Sequence, residues 1–205
     1  ARSVRVIIFS IPMEITTDSI KELREATGVS VMQCKKALEE AGGDIAKATV
    51  ILKKHSAASA LKKADRSLAA GTIGSYTHDG NIGAMVLLSC ETDFVAKNPE
   101  FATLAREIAM HVAAANPSFM TSDEIPAEAK QSAISVFEKE VADKPADMQA
   151  KILEGKLASY FRDQVLLEQS FIKDESKTVR QMLNEATQKF GERIEVGRFA
   201  RISNR

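Results

Sequence analysis

The sequence predicts an α+β protein: an N-terminal three-helix bundle, a helical linker, and a core of helices packed on a three-stranded antiparallel sheet. Three observations carry this. The chain is rich in Ala, Glu and Lys, which favour helix, and its apolar residues recur with helical spacing over most of its length. An Asp79-Gly80 pair stands between two apolar, strand-like runs, as the turn of a β-hairpin does. A third strand-like run, Arg193 to Ser203, closes the chain and supplies the remaining strand.

The first element runs from about Asp18 to Thr27, with Ile20 and Leu23 inward and Gly28 as a left-handed stop. Ser30 opens the second helix, with Gln33 three places on as the partner in a capping box. Val31, Cys34 and Leu38 follow at helical spacing, and Gly42-Gly43 ends the element. Asp44 caps the third helix, whose apolar residues are Ile45, Ala48, Ile51 and Leu52. Residues 13–55 thus form a small bundle, better suited to docking than to catalysis. Residues 56–70 continue an Ala- and Lys-rich stretch from 53 and read as a helical linker.

Residues 71–205 make the core domain. Thr72 to His78 and Asn81 to Cys90 form the hairpin, and Asp-Gly supplies the positive φ of a type I′ turn. Asn98 caps the next helix and Pro99 occupies its first position, with Phe101, Leu104, Ala105, Ile108 and Val112 on one face. Helices of roughly 122–142 and 146–168, separated by Lys144-Pro145, suggest an antiparallel helical hairpin projecting from the core. Ser176 caps a last helix bearing Val179, Leu183, Ala186 and Phe190, which Gly191 stops. In the final strand the inward phase slips between Val196 and Phe199, which predicts a bulge at Gly197.

At 205 residues there is room for one medium domain and a small one. The 28 basic and 28 acidic residues balance, so no global field favours nucleic acid, a membrane or an acidic partner. Cys34 and Cys90 lie outside any metal-ligand spacing and read as reduced core thiols, which fits a bacterial cytoplasm or an organellar stroma or matrix. No apolar run approaches the length of a membrane span. Residues 1–12 are basic and apolar but lack a convincing secretory cleavage site, and Met13-Glu14-Ile15-Thr16 reads as a natural start. They are read as an upstream or expression-derived leader, with an organellar targeting remnant as the alternative.

Catalytic signatures are missing from the sequence. It holds no phosphate-cradling glycine loop, no HExxH and no Cys/His metal cluster, and His55, His78 and His111 are scattered. His111 reads as a half-buried packing residue, not as a base. No cofactor is expected, and the chain reads as a binding protein and not an enzyme. The segment that carries most information is the strand-to-helix connection Thr92 to Lys97. Local physics reads Phe94 as a staple to the core, with Thr92 or Asp93 capping a turn. The other reading is an exposed wedge presented to a partner, with an acid beside it.

Five motifs, in order, resemble the elongation factor Ts family. They are Thr27 to Leu38 (TGVSVMQCKKAL), Thr92 to Asn98 (TDFVAKN), Ile108 to Ala114 (IAMHVAA), Glu168 to Phe171 (EQSF) and Ser176 to Val179 (SKTV). The resemblance covers about residues 14–203. The core repeat, present twice in longer members, occurs once here, so the chain resembles the short form. Val31 replaces a Met often found there, and Ser170 stands where the family often has Pro.

The resemblance implies a guanine-nucleotide exchange factor that releases GDP from elongation factor Tu, with no nucleotide bound by the factor itself. It implies a bundle similar to ubiquitin-associated modules, docking on the partner's nucleotide domain through Lys21, Arg24, Val31 and Met32. The loop Thr92, Asp93, Phe94 and Val95 would intrude, shift partner helices and weaken the Mg²⁺ and phosphate site. His111 and the Ile82-Gly83 strand match further contact positions. A one-repeat core leaves sheet and helix surface that a second copy could cover, so a homodimer is an expectation to test. The alternative from another class is a ribosome- or RNA-associated adaptor using Lys53, Lys54, Lys62, Lys63 and Arg66. The missing aromatic interleaving and the zero net charge argue against it. A hydrolase with an undetected site is a weaker third reading.

Overall fold

Thr16 opens the first helix of the computed structural model, which describes residues 14–143 and 145–204. The expected leader, Met13 and Lys144 lie outside the described residues. Helix α1 (Thr17–Thr27) starts with a reciprocal capping box between Thr16 and Ser19, and ends at Gly28 with φ +68°. Helix α2 (Val31–Glu40) starts where Ser30 accepts the Gln33 N–H at 3.4 Å, one half of the expected box. Helix α3 (Ile45–Lys63) starts at Asp44, whose carboxylate accepts the Lys47 N–H at 3.0 Å. Leu23, Val29, Cys34, Ala37, Leu38, Ala48 and Leu52 form the bundle's own core.

Helix α3 passes through the expected bundle boundary at residue 55 without a break and reaches Lys63. Ala57, Ala60 and Leu61 on its second half line a cleft of about 510 Å³ with Leu183 and Thr187. Bundle and core are thus joined by one rod, because nothing in the Ala/Lys run breaks a helix.

Strands β1 (Ala70–His78) and β2 (Ile82–Cys90) pair antiparallel, and β2 pairs antiparallel with β5 (Glu195–Ser203), in the order β1-β2-β5. Asp79 and Gly80 have φ of 49° and 67°, and the Asn81 N–H donates to the His78 carbonyl, as a type I′ turn requires. Leu87 faces Arg198 while Leu88 faces Val196, which leaves Gly197 as the extra residue at the predicted bulge. Ala84, Val86, Leu88 and Cys90 point inward along β2. They meet Phe101, Ala105, Ile108 and Val112 of α5 (Pro99–Ala115), and all eight are buried. At Gly74 the chain passes so close to α5 that a Cβ would stand 2.2 Å from the Ala105 carbonyl carbon.

The second half of the core departs from expectation in four places. The helix expected from residue 122 is a 3-10 turn, Ser122–Glu124, followed after Pro126 by α6 (Ala127–Val141). Helix α7 (Ala146–Arg162) stops short of 168 because the chain beyond it finds tertiary partners. Ser118 and Phe119 both donate to the Gln164 carbonyl, and the Leu166 N–H donates to the Phe119 carbonyl at 2.8 Å. A small hairpin not expected from sequence, β3 (Ser170–Phe171) and β4 (Asp174–Thr178), then precedes α8 (Val179–Phe190). Ser176 lies in β4 with its hydroxyl on Asp174, and the cap of α8 is Thr178, in a full box with Gln181. Gly191, φ +76°, ends α8 as expected. Helices α6 and α7 pack on each other as the expected antiparallel pair.

Candidate functional site

Residues 92–97 fold into a single helical turn, α4 (Asp93–Ala96), between β2 and α5. Asn98 closes it by capping α5, its side-chain oxygen accepting the Glu100 N–H at 2.8 Å with Pro99 at the first helical position. Phe94 does not staple to the core. Val95 takes the inward position and is buried, while Phe94 is 81% exposed. In one turn, neighbouring residues point in different directions, and filling the pocket with Val95 sends the ring outward. Asp93 pairs with Lys97 at 2.6 Å, and the hydrogen bond from that ammonium holds the Asp93 carboxyl below its ordinary range. An ionised carboxylate therefore stands beside the exposed ring.

The turn rests on contacts from far along the chain. Glu192, just after α8, accepts the N–H groups of Glu91 and Thr92, both at 3.0 Å, and the Thr92 hydroxyl at 2.6 Å. Glu91 in return accepts the Arg193 N–H at 2.6 Å and pairs with Arg66 at 3.1 Å. The Arg193 N–H is the main cause that keeps the Glu91 carboxyl below its usual range. Cys90 lies beneath, its thiol donating to the Thr92 carbonyl and its pKa pushed up by burial.

The other sequence-selected residues are spread out. Val31 and Met32 are 51% and 63% exposed at the start of α2, an apolar pair that the bundle leaves in water. Lys21 and Arg24 are exposed on α1, Lys21 pairing with Glu25 at 3.9 Å. Ile82 and Gly83 are half-buried at the hairpin end of β2, about 26 Å of strand from Cys90 at ~3.3 Å per residue.

His111 is fully buried, not half-buried, and presents no surface to a partner. Its Nε2 lies 3.0 Å from the Gln169 side-chain oxygen, and the Gln169 amide donates to the Asp163 carbonyl at 2.7 Å. Because that amide nitrogen is already a donor, its oxygen must accept, so Nε2 carries the imidazole proton. Nδ1 has no hydrogen-bond partner. Burial lowers the pKa of His111, against the opposing effect of Gln169. The unfolded chain then takes up the proton first, so folding stability present at neutral pH is lost as pH falls through about 6.5. We predict that the midpoint of thermal unfolding falls between pH 7.5 and 5.5, and that His111→Gln flattens that slope. An equal slope in the variant would contradict the assignment.

Among the described residues, no three His, Cys, Asp or Glu side chains are grouped to hold a metal ion. No helix among them is long and apolar enough to cross a membrane. The site is thus a protruding aromatic on a braced turn, together with an exposed apolar pair on the bundle. The motifs at residues 27–38 and 92–98 pointed to both. Nothing in the sequence marks Glu192, Arg193 or Arg66 as partners of the turn, which they reach only through the fold.

The sequence of the chain matches known proteins over most of its length. The family model for elongation factor Ts matches residues 14–204. Elongation factor Ts of Fervidobacterium nodosum is 46% identical over 193 residues, covering 93% of this chain and 98% of that protein. Those of Thermotoga petrophila and Thermodesulfovibrio yellowstonii are each 46% identical, covering 92% and 93% of this chain and 96% of each relative. The chain belongs to the elongation factor Ts family, the nucleotide exchange factors of elongation factor Tu.

Proposed function

We propose that this chain docks on elongation factor Tu through residues 13–55 and releases GDP from it by inserting the Asp93-Phe94 turn. Residues 71–205 present the turn, and 56–70 connect the two parts. The observation that carries the reading is Phe94, a large apolar ring held in water on a turn braced by Glu192. Interface anchors are typically aromatic, and pre-organisation of this kind spares the cost of ordering them on binding. Val31 and Met32 would seat the bundle, with Lys21 and Arg24 at its edge. The Ile82-Gly83 end of β2 would add a contact. His111 and Val95, being buried, would hold the elements that carry these contacts.

Exchange of this kind makes and breaks no covalent bond. The factor must favour the nucleotide-free partner over the nucleotide-bound one, and linkage makes the effect reciprocal. A ~10⁴-fold weakening of GDP binding requires roughly 5.5 kcal/mol of differential affinity. A buried aromatic wedge, at ~2–4 kcal/mol for an interface hot spot, supplies much of this. The acid beside it would disfavour the nearby phosphates. The test is affinity for elongation factor Tu with and without GDP and Mg²⁺. The expected result is binding roughly 10⁴-fold tighter to the nucleotide-free partner. Equal affinity for both would sink the reading, and salt-steep RNA binding lost on neutralising Lys53, Lys54, Lys62 and Lys63 would replace it with the adaptor.

The outer face of the sheet bears on oligomeric state. Ile73 and Leu87 face each other across β1 and β2, Met85 and Ile202 stand nearby, and all four are exposed. We propose that a second copy covers this face, sheet on sheet, since a self-complementary apolar patch suits a two-fold dimer. In sedimentation the wild type is expected as a dimer and Met85→Lys as a monomer. A monomeric wild type at working concentration would remove the idea.

A further inference from the structure

The wedge is only as effective as the turn that carries it, and the bonds that hold this turn come from elsewhere in the chain. Val95 anchors one side by burial. On the other side, Thr92 makes no side-chain cap to α4; its hydroxyl and its N–H both go to Glu192. The same carboxylate takes the Glu91 N–H, so three donors from two consecutive residues converge on it. Glu91 crosses back to the Arg193 N–H and to the Arg66 guanidinium, and the Arg66 backbone carbonyl accepts from the Arg193 side chain at 2.5 Å. Two carboxylates thus hold the end of β2 and the α8–β5 turn together, and Arg66 ties both to the chain leaving α3.

We propose that Glu192 is a positioning residue for nucleotide exchange: it fixes the end of β2 so that the Phe94 turn enters the partner as a rigid wedge. This inference rests on the exchange reading above. The physical reason is preorganisation. Hydrogen bonds to an ionised acceptor are roughly twice as strong as neutral ones. A turn that yielded on contact would spend differential binding on its own rearrangement instead of on the partner's nucleotide site. The Arg66 link sets the bundle and the wedge in one frame, so docking at Val31 and Met32 aims Phe94.

Chemistry distinguishes the Gln and Ala variants. In Glu192→Gln the amide oxygen still accepts both backbone N–H groups, and the Thr92 hydroxyl turns from donor to acceptor for the amide nitrogen. In Glu192→Ala all three donors lose their acceptor. The experiment measures release of a fluorescent GDP analogue from elongation factor Tu over a range of factor concentrations, with amide hydrogen exchange on the free factor.

For Glu192→Ala we expect the maximal release rate to fall about tenfold or more, equivalent to ~1.4 kcal/mol, with the half-saturating concentration within about threefold. Exchange at the Glu91 and Thr92 amides should speed by about tenfold while Val86 and Leu88 stay protected. Glu192→Gln should recover most of both. An Ala variant with the wild-type maximal rate overturns the proposal. So does protection lost throughout β2, or a Gln variant no better than Ala with a raised half-saturating concentration, since either marks general loosening. A wild-type chain that leaves GDP release unchanged overturns the exchange reading itself and this inference with it.

Discussion

Phe94→Ala is expected to fold as the wild type does, to bind elongation factor Tu, and to lose most of its acceleration of GDP release. The ring is exposed and leaves no cavity when removed, so folding stability should change by no more than about 0.5 kcal/mol. The bundle surface at Val31 and Met32 is untouched, so docking persists. What is lost is the part of the binding energy available only when nucleotide has gone. At roughly 2–4 kcal/mol this is a fall of about 30- to 1,000-fold in maximal release rate. Release kinetics at saturating factor measure it. A variant as fast as wild type would show that the aromatic is not the wedge, and a variant that fails to bind would make Phe94 a docking residue.

Gly74→Ala is expected to cost about 3 kcal/mol of folding stability or more, near the upper end for overpacking. The added methyl would lie 2.2 Å from the Ala105 carbonyl carbon, 2.3 Å from its oxygen and 2.5 Å from the Arg106 nitrogen. All three are backbone atoms of α5, so no side chain can swing aside, and β1 and α5 must part. Gly80 makes the contrast. A Cβ there meets nothing within 4 Å, and its cost is confined to a φ of +67°. Urea unfolding reports both, and a Gly74→Ala midpoint equal to that of the wild type would show that β1 and α5 yield easily. The same close contact is what sets α5, and with it the α4 turn, against the sheet.

Local chemistry made much of this fold legible. Gly28 and Gly191 stop their helices, Asp44 and Asn98 cap theirs, and Asp79-Gly80 turns the hairpin, because each acts on backbone within a few residues. The bulge at Gly197 could be read because a slip in a period-two pattern is visible in one strand. What failed depended on distant partners. Helix α7 is expected to reach residue 168, yet the Gln164 carbonyl and the Leu166 and Leu167 N–H groups bond to residues 118–120 instead. The cap of α8 is Thr178 and not Ser176 because Thr178 directly precedes Val179 and closes a box with Gln181, while Ser176 is taken up in β4 with its hydroxyl on Asp174.

The candidate site divides the same way. The TDFVAKN motif located the loop, but local propensity could not tell whether Phe94 or Val95 faces the core, which depends on how α4 rotates against the sheet. His111 kept its place on the apolar face of α5, while its partner Gln169 arrives from beyond α7. Glu192 stands 100 residues from Thr92, and only the closure of β5 on β2 brings the two together.

The most direct measurement is release of a fluorescent GDP analogue from elongation factor Tu in excess GDP and Mg²⁺, with this chain added far below equimolar amounts. The account predicts that each molecule of factor empties many molecules of partner, since a factor that favours the nucleotide-free state is displaced when nucleotide returns. Release that stays at its unassisted rate, even with equimolar factor, would contradict it.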